Sequence, residues 1–407
     1  MFNAKRFSLA RRRRGLTKRE VAERIGVSER SVSAYEKGDQ EPEPSNMQRI
    51  AAALGFPEAF FFAGDPDELS EGVASFRSMS KMSARQRDSA LGSGAIGLML
   101  NEWLERNFNL PSPDLPDLGR EPGRLTAPAV LEDFEEGIPF PSTTTAYDPE
   151  AAAEALRSQW GLGELPVKNV IALLESKGVR VFSLAIDAKE VDAFSMWHGG
   201  TPFMFLNTYK SAEHCRFDAA HELGHLVLHR HGQTQGPELE REANAFASAF
   251  LMPRKSVLAY APRVATLPGL VRAKHHWKVS VAALNYRMHA LGLTSAWVYR
   301  TLCIQLAEAG YRTSEPEPMT HEKSQVLEKV FKALRDEGTS RADVAHALAI
   351  SPKEIDSLTF NLMLNLLTGR GEGSRLREGA IRDGLHLIHT RDSSPSKRSK
   401  RTPPTRN

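Results

Sequence analysis

The stretch FDAAHELGHLVLHRHG, residues 217–232, sets two histidines four positions apart inside an apolar, helix-like run. A helix turns about 100° per residue, so His221 and His225 share one face, one turn apart. At that spacing both imidazoles reach a single ion at about 2.0–2.1 Å. Glu222 falls beside them, where its carboxylate reaches a water on the ion rather than the ion itself. Leu223, Leu226, Val227 and Leu228 surround these polar groups, so the helix must be buried. Buried imidazoles and a carboxylate without partners would be costly, and a metal ion satisfies them together. An internal Glu–His hydrogen-bonded pair is the alternative.

A catalytic zinc site needs a third protein ligand and an open fourth position. His229 continues the four-residue spacing, but three ligands on one straight rod lie nearly in line and cannot form a tetrahedral face. His231 falls where an HExxHxxGxxH pattern puts its third histidine, yet Leu228 stands where that pattern needs a helix-breaking glycine. Glu240 lies in PELEREANAFASAFLMP (237–253), a second helix opened by Pro237 and sided by Ala243, Phe246, Ala247, Phe250 and Leu251. Its carboxylate approaches from a new direction, which closes the geometry. The expected ligands of Zn2+ are therefore His221, His225 and Glu240, with Glu222 as general base and Asn244 orienting a ligand from behind. Glu242, about 160° from Asn244 around the helix, is expected to be solvated. For an oxyanion donor the candidates are Tyr209, Tyr260 and His214.

At 407 residues the chain exceeds one ordinary core, so two or three domains are expected. No apolar run approaches the roughly 20 residues that span a bilayer, and the N-terminus lacks a secretory apolar stretch. Two cysteines, Cys215 and Cys303, cannot build a disulfide framework, which points to a reducing cytoplasm. Cys215 reads as buried packing. Charge is unevenly spread: residues 1–19 carry eight Lys or Arg and no acid. The final RDSSPSKRSKRTPPTRN is basic, rich in Ser and Pro, and expected to be disordered. Both ends suit a polyanion.

The first sixty residues read as short helices. Thr17 and Glu20 form a capping box that opens a helix through Ile25, and Val21, Ala22 and Ile25 give it an apolar face. Gly26 permits a tight turn, Ser28 caps the next helix, Val32 and Tyr35 face inward, and Gly38 ends it. Met47, Ile50, Ala51 and Leu54 close the bundle. Helix, short turn and helix is the helix-turn-helix arrangement, whose second helix enters the major groove of double-stranded DNA while flanking cations meet phosphates. Ser28, Glu29, Arg30, Ser31 and Ser33 are the candidates for the groove, and Lys18 for the backbone.

Residues 76–109 predict a helical connector with Ile96, Leu100, Trp103 and Leu104 on one face, followed by a proline-rich linker to about 147. Asp148 caps and Pro149 opens a new domain with two helices. VRVFSL, DAFSMW and PFMFLN then predict three short strands of a partly antiparallel sheet leading into the histidine motif, with PFMFLN offering an edge to an extended substrate. Near the C-terminus, SRADVAHALAISPKEIDSL (340–358) repeats the first motif in outline without its basic flank, which favours packing or partner contact over DNA. The expected division is 1–64, 65–147, 148–300, 301–390 and a tail 391–407.

LTKREVAERIGVSERSVSAYEKG resembles the XRE-type (lambda-repressor-like) helix-turn-helix family over about residues 6–62. RFDAAHELGHLVLH with LEREANAFASAFLMP resembles the ImmA/IrrE family of zinc metallopeptidases over roughly 148–260, and FRSMSKMSARQRDSAL looks like its members with an XRE module. The resemblance implies a multidomain, mainly α chain: a five-helix DNA-binding bundle, a minimal gluzincin-like α+β peptidase domain and a C-terminal helical region. It implies the same zinc ligands and base, and cytoplasmic endopeptidases that act on DNA-binding repressors. A transcription factor whose peptidase-like domain only senses metal or a ligand is the competing expectation. Helix-turn-helix proteins often form homodimers on palindromes, but no dimer helix is identifiable.

Overall fold

The computed structural model describes residues 1–67, 69, 75–76, 82–118, 148–184, 193–230 and 236–360. The linker beyond residue 118, His231 and the basic tail lie outside the described residues.

Four α-helices begin the chain: α1 (Ala4–Arg13), α2 (Lys18–Ile25), α3 (Glu29–Lys37) and α4 (Pro44–Leu54), followed by a 3-10 turn at Glu58–Phe62. The Thr17–Glu20 capping box forms, Ser28 caps α3, and Gly26 and Gly38 end α2 and α3 as expected. Val21, Ile25, Val32, Tyr35, Met47, Ile50 and Leu54 are buried together, so the apolar spacing translates directly into a bundle.

The two-residue strand β1 (Ser75–Phe76) precedes α5 (Ala84–Asn107). This helix, expected as a connector, lies in the middle of the molecule. Its glycines are the cause. A Cβ at Gly92 would stand 2.8 Å from the Arg13 backbone of α1, and one at Gly97 would stand 2.6 Å from the Phe205 ring of the sheet. With hydrogens there instead, α5 packs against the N-terminal bundle on one side and the sheet on the other, and Ala90, Ile96 and Leu100 are buried.

Asp148 caps α6 (Pro149–Gln159), and α7 (Val170–Ser176) follows. The sheet is completed by β2 (Arg180–Leu184), β3 (Ala193–His198) and β4 (Thr201–Asn207), in the order β1-β3-β4-β2. β3 and β4 form an antiparallel hairpin, and β2 lies parallel to β4. The PFMFLN segment therefore runs between two partners and has no free edge, which corrects the expectation that it docks substrate. β1 and β2 are the outer strands among the described residues, and β3 is paired with β1 at Phe194 and Ser195.

α8 (Ala212–Leu228) crosses the sheet and α9 (Pro237–Leu251) packs along α8. Gly224 lets them approach, since a Cβ there would meet the Phe246 ring at 3.1 Å and the Ala243 backbone at 3.3 Å. Helices α10 (Arg254–Tyr260), α11 (Leu267–Trp277), α12 (Val281–Ala290) and α13 (Ala296–Glu308) follow. No helix among the described residues is long and apolar enough to cross a membrane.

The chain then returns through α14 (Gln325–Asp336), α15 (Arg341–Ala347) and α16 (Pro352–Leu358). In α16, the counterpart of a DNA-reading helix, Glu354, Ile355, Asp356 and Leu358 are buried, so it packs rather than presenting a reading face. The Ser183 hydroxyl of β2 donates to the Ser357 carbonyl at 2.6 Å and accepts from the Phe360 N–H at 2.9 Å. On the opposite side, the Glu354 carboxylate takes Arg13 at 2.9 Å and Arg14 at 2.5 Å. α16 thus bridges the sheet and α1.

That clamp is part of a wider pattern. Arg11 and Lys18 pair with Glu36, Arg12 with Asp88, Lys5 with Asp65 and Arg19 with Glu23. Arg6 is buried and donates to the Gly64 carbonyl. All eight cations of residues 1–19 have partners inside the chain. Lys5, Arg12, Lys18 and Arg19 nonetheless keep much of their side-chain surface exposed. Apart from Glu23, one turn from Arg19, the acids that pair with this segment come from distant positions, which a charge count along the sequence does not see.

Candidate metal centre and DNA-reading helix

α8 and α9 bring His221, His225 and Glu240 together, with their ligand atoms all within 4.8 Å of one another. The Nε2 atoms of the two histidines face each other at 3.1 Å, and each is 3.3 Å from a different oxygen of Glu240. The imidazoles are buried, while the Glu240 side chain keeps 23% of its surface on the open side. Burial raises the Glu240 carboxyl, but the hydrogen bonds and charges of the histidines outweigh it and hold the group down at about 2.

The far sides of the rings decide what can sit between these atoms. His221 Nδ1 lies 3.2 Å from Asn244 Oδ1, which can only accept, so Nδ1 carries the proton. His229 Nε2 lies 2.8 Å from the Glu242 carboxylate and donates to it. Burial, and after it the charge of His225, lowers the His229 pKa and favours its neutral form, leaving Nδ1 to accept from His225 Nδ1 at 2.9 Å. Both Nε2 atoms face the Glu240 carboxylate, and the Nδ1 contacts on the far sides of the rings leave them available to a metal ion. Two imidazole nitrogens and two carboxylate oxygens converge here; a cation taking the place of the protons between them would be held by all three side chains.

Glu242 was expected in solvent and is instead the end of this relay. The reason is local: α8 stops at Leu228, and His229 leaves the helical path at φ −115°, which swings its ring towards α9. The four-residue spacing to His229 was visible in the sequence; Glu242 carried no signal of its own.

Glu222 is fully buried, and its Oε2 accepts from the Ser195 hydroxyl at 2.7 Å. Ser195 sits on β3 and was not anticipated, because the sheet alone brings it under α8. The Trp197 indole donates to the Leu226 carbonyl at 3.1 Å, and the Arg230 guanidinium covers its ring at 3.6 Å, which fastens the same strand to the motif helix. Of the oxyanion candidates, Tyr209 and Tyr260 are mostly exposed, Tyr260 stacks on His276, and His214 pairs with Asp218. Cys215 is buried, with its thiol pushed up to about 12 by burial and then by Asp218, which leaves it unreactive.

Residues 174–289 match the family model of the IrrE N-terminal-like domain, and residues 8–61 match that of the helix-turn-helix. The chain joins a DNA-binding helix-turn-helix domain to an IrrE/ImmA-like peptidase domain. No curated protein matches it. Within the helix-turn-helix domain, Glu29 and Arg30 are exposed at the start of α3, and Ser33 is half-buried. Ser28 is used as the cap, accepting from the Ser31 N–H at 3.1 Å, with the two hydroxyls 2.9 Å apart. Lys18 lies 3.1 Å from Glu36 and stays partly exposed.

Proposed function

We propose that the chain is a DNA-bound zinc endopeptidase that cleaves a partner protein, a DNA-binding repressor. The helix-turn-helix domain, residues 1–64, places it on double-stranded DNA, with Ser28, Glu29, Arg30, Ser31 and Ser33 towards the bases and Lys18 towards the backbone. The peptidase domain, residues 148–300, holds Zn2+ on His221, His225 and Glu240.

The observation that carries the reading is the convergence of the His221 and His225 Nε2 atoms on the two carboxylate oxygens of Glu240. Bound there, zinc supplies Lewis acidity towards the scissile carbonyl and lowers the pKa of a water. Glu222 is the proton carrier: its carboxylate takes a proton from the attacking water and gives it to the leaving nitrogen. The Ser195 hydroxyl holds that carboxylate in place through Oε2. Asn244 and the His229–Glu242 pair keep the outer nitrogens protonated, so that both inner ones stay available to metal. The stretch of β3 beyond its two-residue pairing with β1, residues 196–198, offers main-chain groups to an extended peptide.

Co-expression with candidate repressors tests the reading, comparing wild type with Glu222→Gln. A specific fragment that disappears in the variant, while metal content and DNA binding persist, is the expected result. Unchanged regulation with no cleavage in either protein would make the domain a metal or ligand sensor.

A further inference from the structure

A cavity of about 740 Å³ opens between α8, α9, α12 and the loop that follows α13, a size suited to a small ligand or a large side chain. Asn244 lines it and also contacts His221, so a single side chain separates the cavity from the metal group. On α8, Phe217 precedes His221 by four residues, one turn and about 6 Å along the axis. The cavity therefore continues the α8–α9 groove in which His221, His225 and Glu240 meet.

Most of its wall surface is apolar, with Ser211, Ser248, Ser280 and Thr313 adding hydroxyls around it. Phe217, Tyr286 and Tyr311 provide broad faces, and Ala245 and Ala283 leave the space between them. Tyr286 is 53% exposed at α12, an aromatic ring held in water beside an apolar hollow. The deeper charges are already occupied. Lys274 is buried and engages Glu213 at 2.9 Å and Glu315 at 3.2 Å, and Glu315 also accepts from the Val281 N–H. Arg312, by contrast, has no ion pair among the described residues and lines the same cavity. A guanidinium so placed suits a peptide carbonyl or an acidic neighbour of the buried group.

We infer that this cavity is a specificity subsite, taking a large apolar side chain, aromatic or long aliphatic, from a substrate peptide residue near the cleaved bond. The inference rests on the endopeptidase reading for the source of the ligand, but the chemistry of the hollow is independent of it. A free aromatic amide shares that chemistry, and the test separates the two.

Fluorescein-labelled hexapeptides carrying Phe, Leu, Ala or Lys at each position in turn are titrated against zinc-loaded, full-length Glu222→Gln protein. At one position, the Phe and Leu peptides should bind at least tenfold more tightly than the Ala and Lys peptides. Ala283→Leu, which fills the hollow, should reduce that preference to within threefold with metal content unchanged. Tyr286→Ala, at an exposed position that does not burden folding, should weaken it at least threefold. Equal binding of all four peptides, or a preference that survives both variants, overturns the inference. N-acetylphenylalaninamide binding as tightly as the best hexapeptide overturns the peptide source and makes this a small-molecule site. Selective binding of peptides that wild type never cuts sinks the endopeptidase reading and leaves the subsite standing. Cleavage without side-chain preference does the reverse.

Discussion

Replacing Glu354 with glutamine should release the C-terminal helices from the DNA-binding domain. Its carboxylate is 3% exposed and accepts from Arg13 and Arg14, whose side chains are 10% and 28% exposed. Burial alone would raise this carboxyl, but the charges of Arg13 and Arg14 and their hydrogen bonds hold it below the usual carboxylate range. Removing one partner of a buried ion pair costs about 3–5 kcal/mol. Arg14 keeps its bonds to the Leu54 and Gly55 carbonyls and some solvent, so the lower end, about 3 kcal/mol, applies. At about 1.4 kcal/mol per tenfold, the opened population of α15 and α16 rises by roughly two orders of magnitude. Amide hydrogen exchange measures it directly, with α8 as the internal control. We expect exchange in α15 and α16 to accelerate about 100-fold while α8 changes little. Acceleration below about threefold would refute the clamp and assign docking to the apolar contacts of Ile355, Leu358 and Phe360 alone.

Further outcomes follow from the same geometry. Glu242→Gln should weaken metal binding by about 10- to 100-fold in a chelator competition while leaving DNA affinity alone, because His229 loses the carboxylate that orients it towards His225; unchanged affinity would show the relay to be inert. Arg30→Ala should cost about 1–3 kcal/mol of discrimination between a specific operator and random DNA in gel shifts, and full retention would move base reading elsewhere. The two carboxylates that hold C-terminal helices, Glu354 within α16 and Glu175 of α7 against α14, should respond oppositely to pH. Glu354, with its folded pKa lowered, stabilises docking above the unfolded value and loses that contribution as pH falls through the folded one, so α16 loosens in acid. Burial raises Glu175 to about 7 against its bonds to Ser324, Gln325 and Val326, so the contact it makes with the start of α14 weakens as pH rises from about 4.3 towards 7. Exchange rates of α14 and α16, corrected for intrinsic pH dependence, should therefore diverge; parallel behaviour would contradict both assignments.

Much of the site was legible because its logic is local. The four-residue step from His221 to His225 is a property of any helix, and Glu240 could be chosen because a second helix alone supplies a ligand off the first axis. The caps at Thr17, Ser28 and Asp148 were equally readable, since each satisfies backbone N–H groups within three residues of itself. Arg13 and Glu354, in contrast, meet across 341 positions, and nothing near either residue announces the other. Ser195 under Glu222, the inner place of β4 and the swing of His229 towards Glu242 depend likewise on how strands are ordered and where a helix ends. Periodicity and end signals act over one or two turns, so sequence specifies which side chains share a face. Which faces meet is decided by close packing of the whole chain, and here by glycines at 92, 97 and 224 that let α5 approach α1 and the sheet and let α8 approach α9.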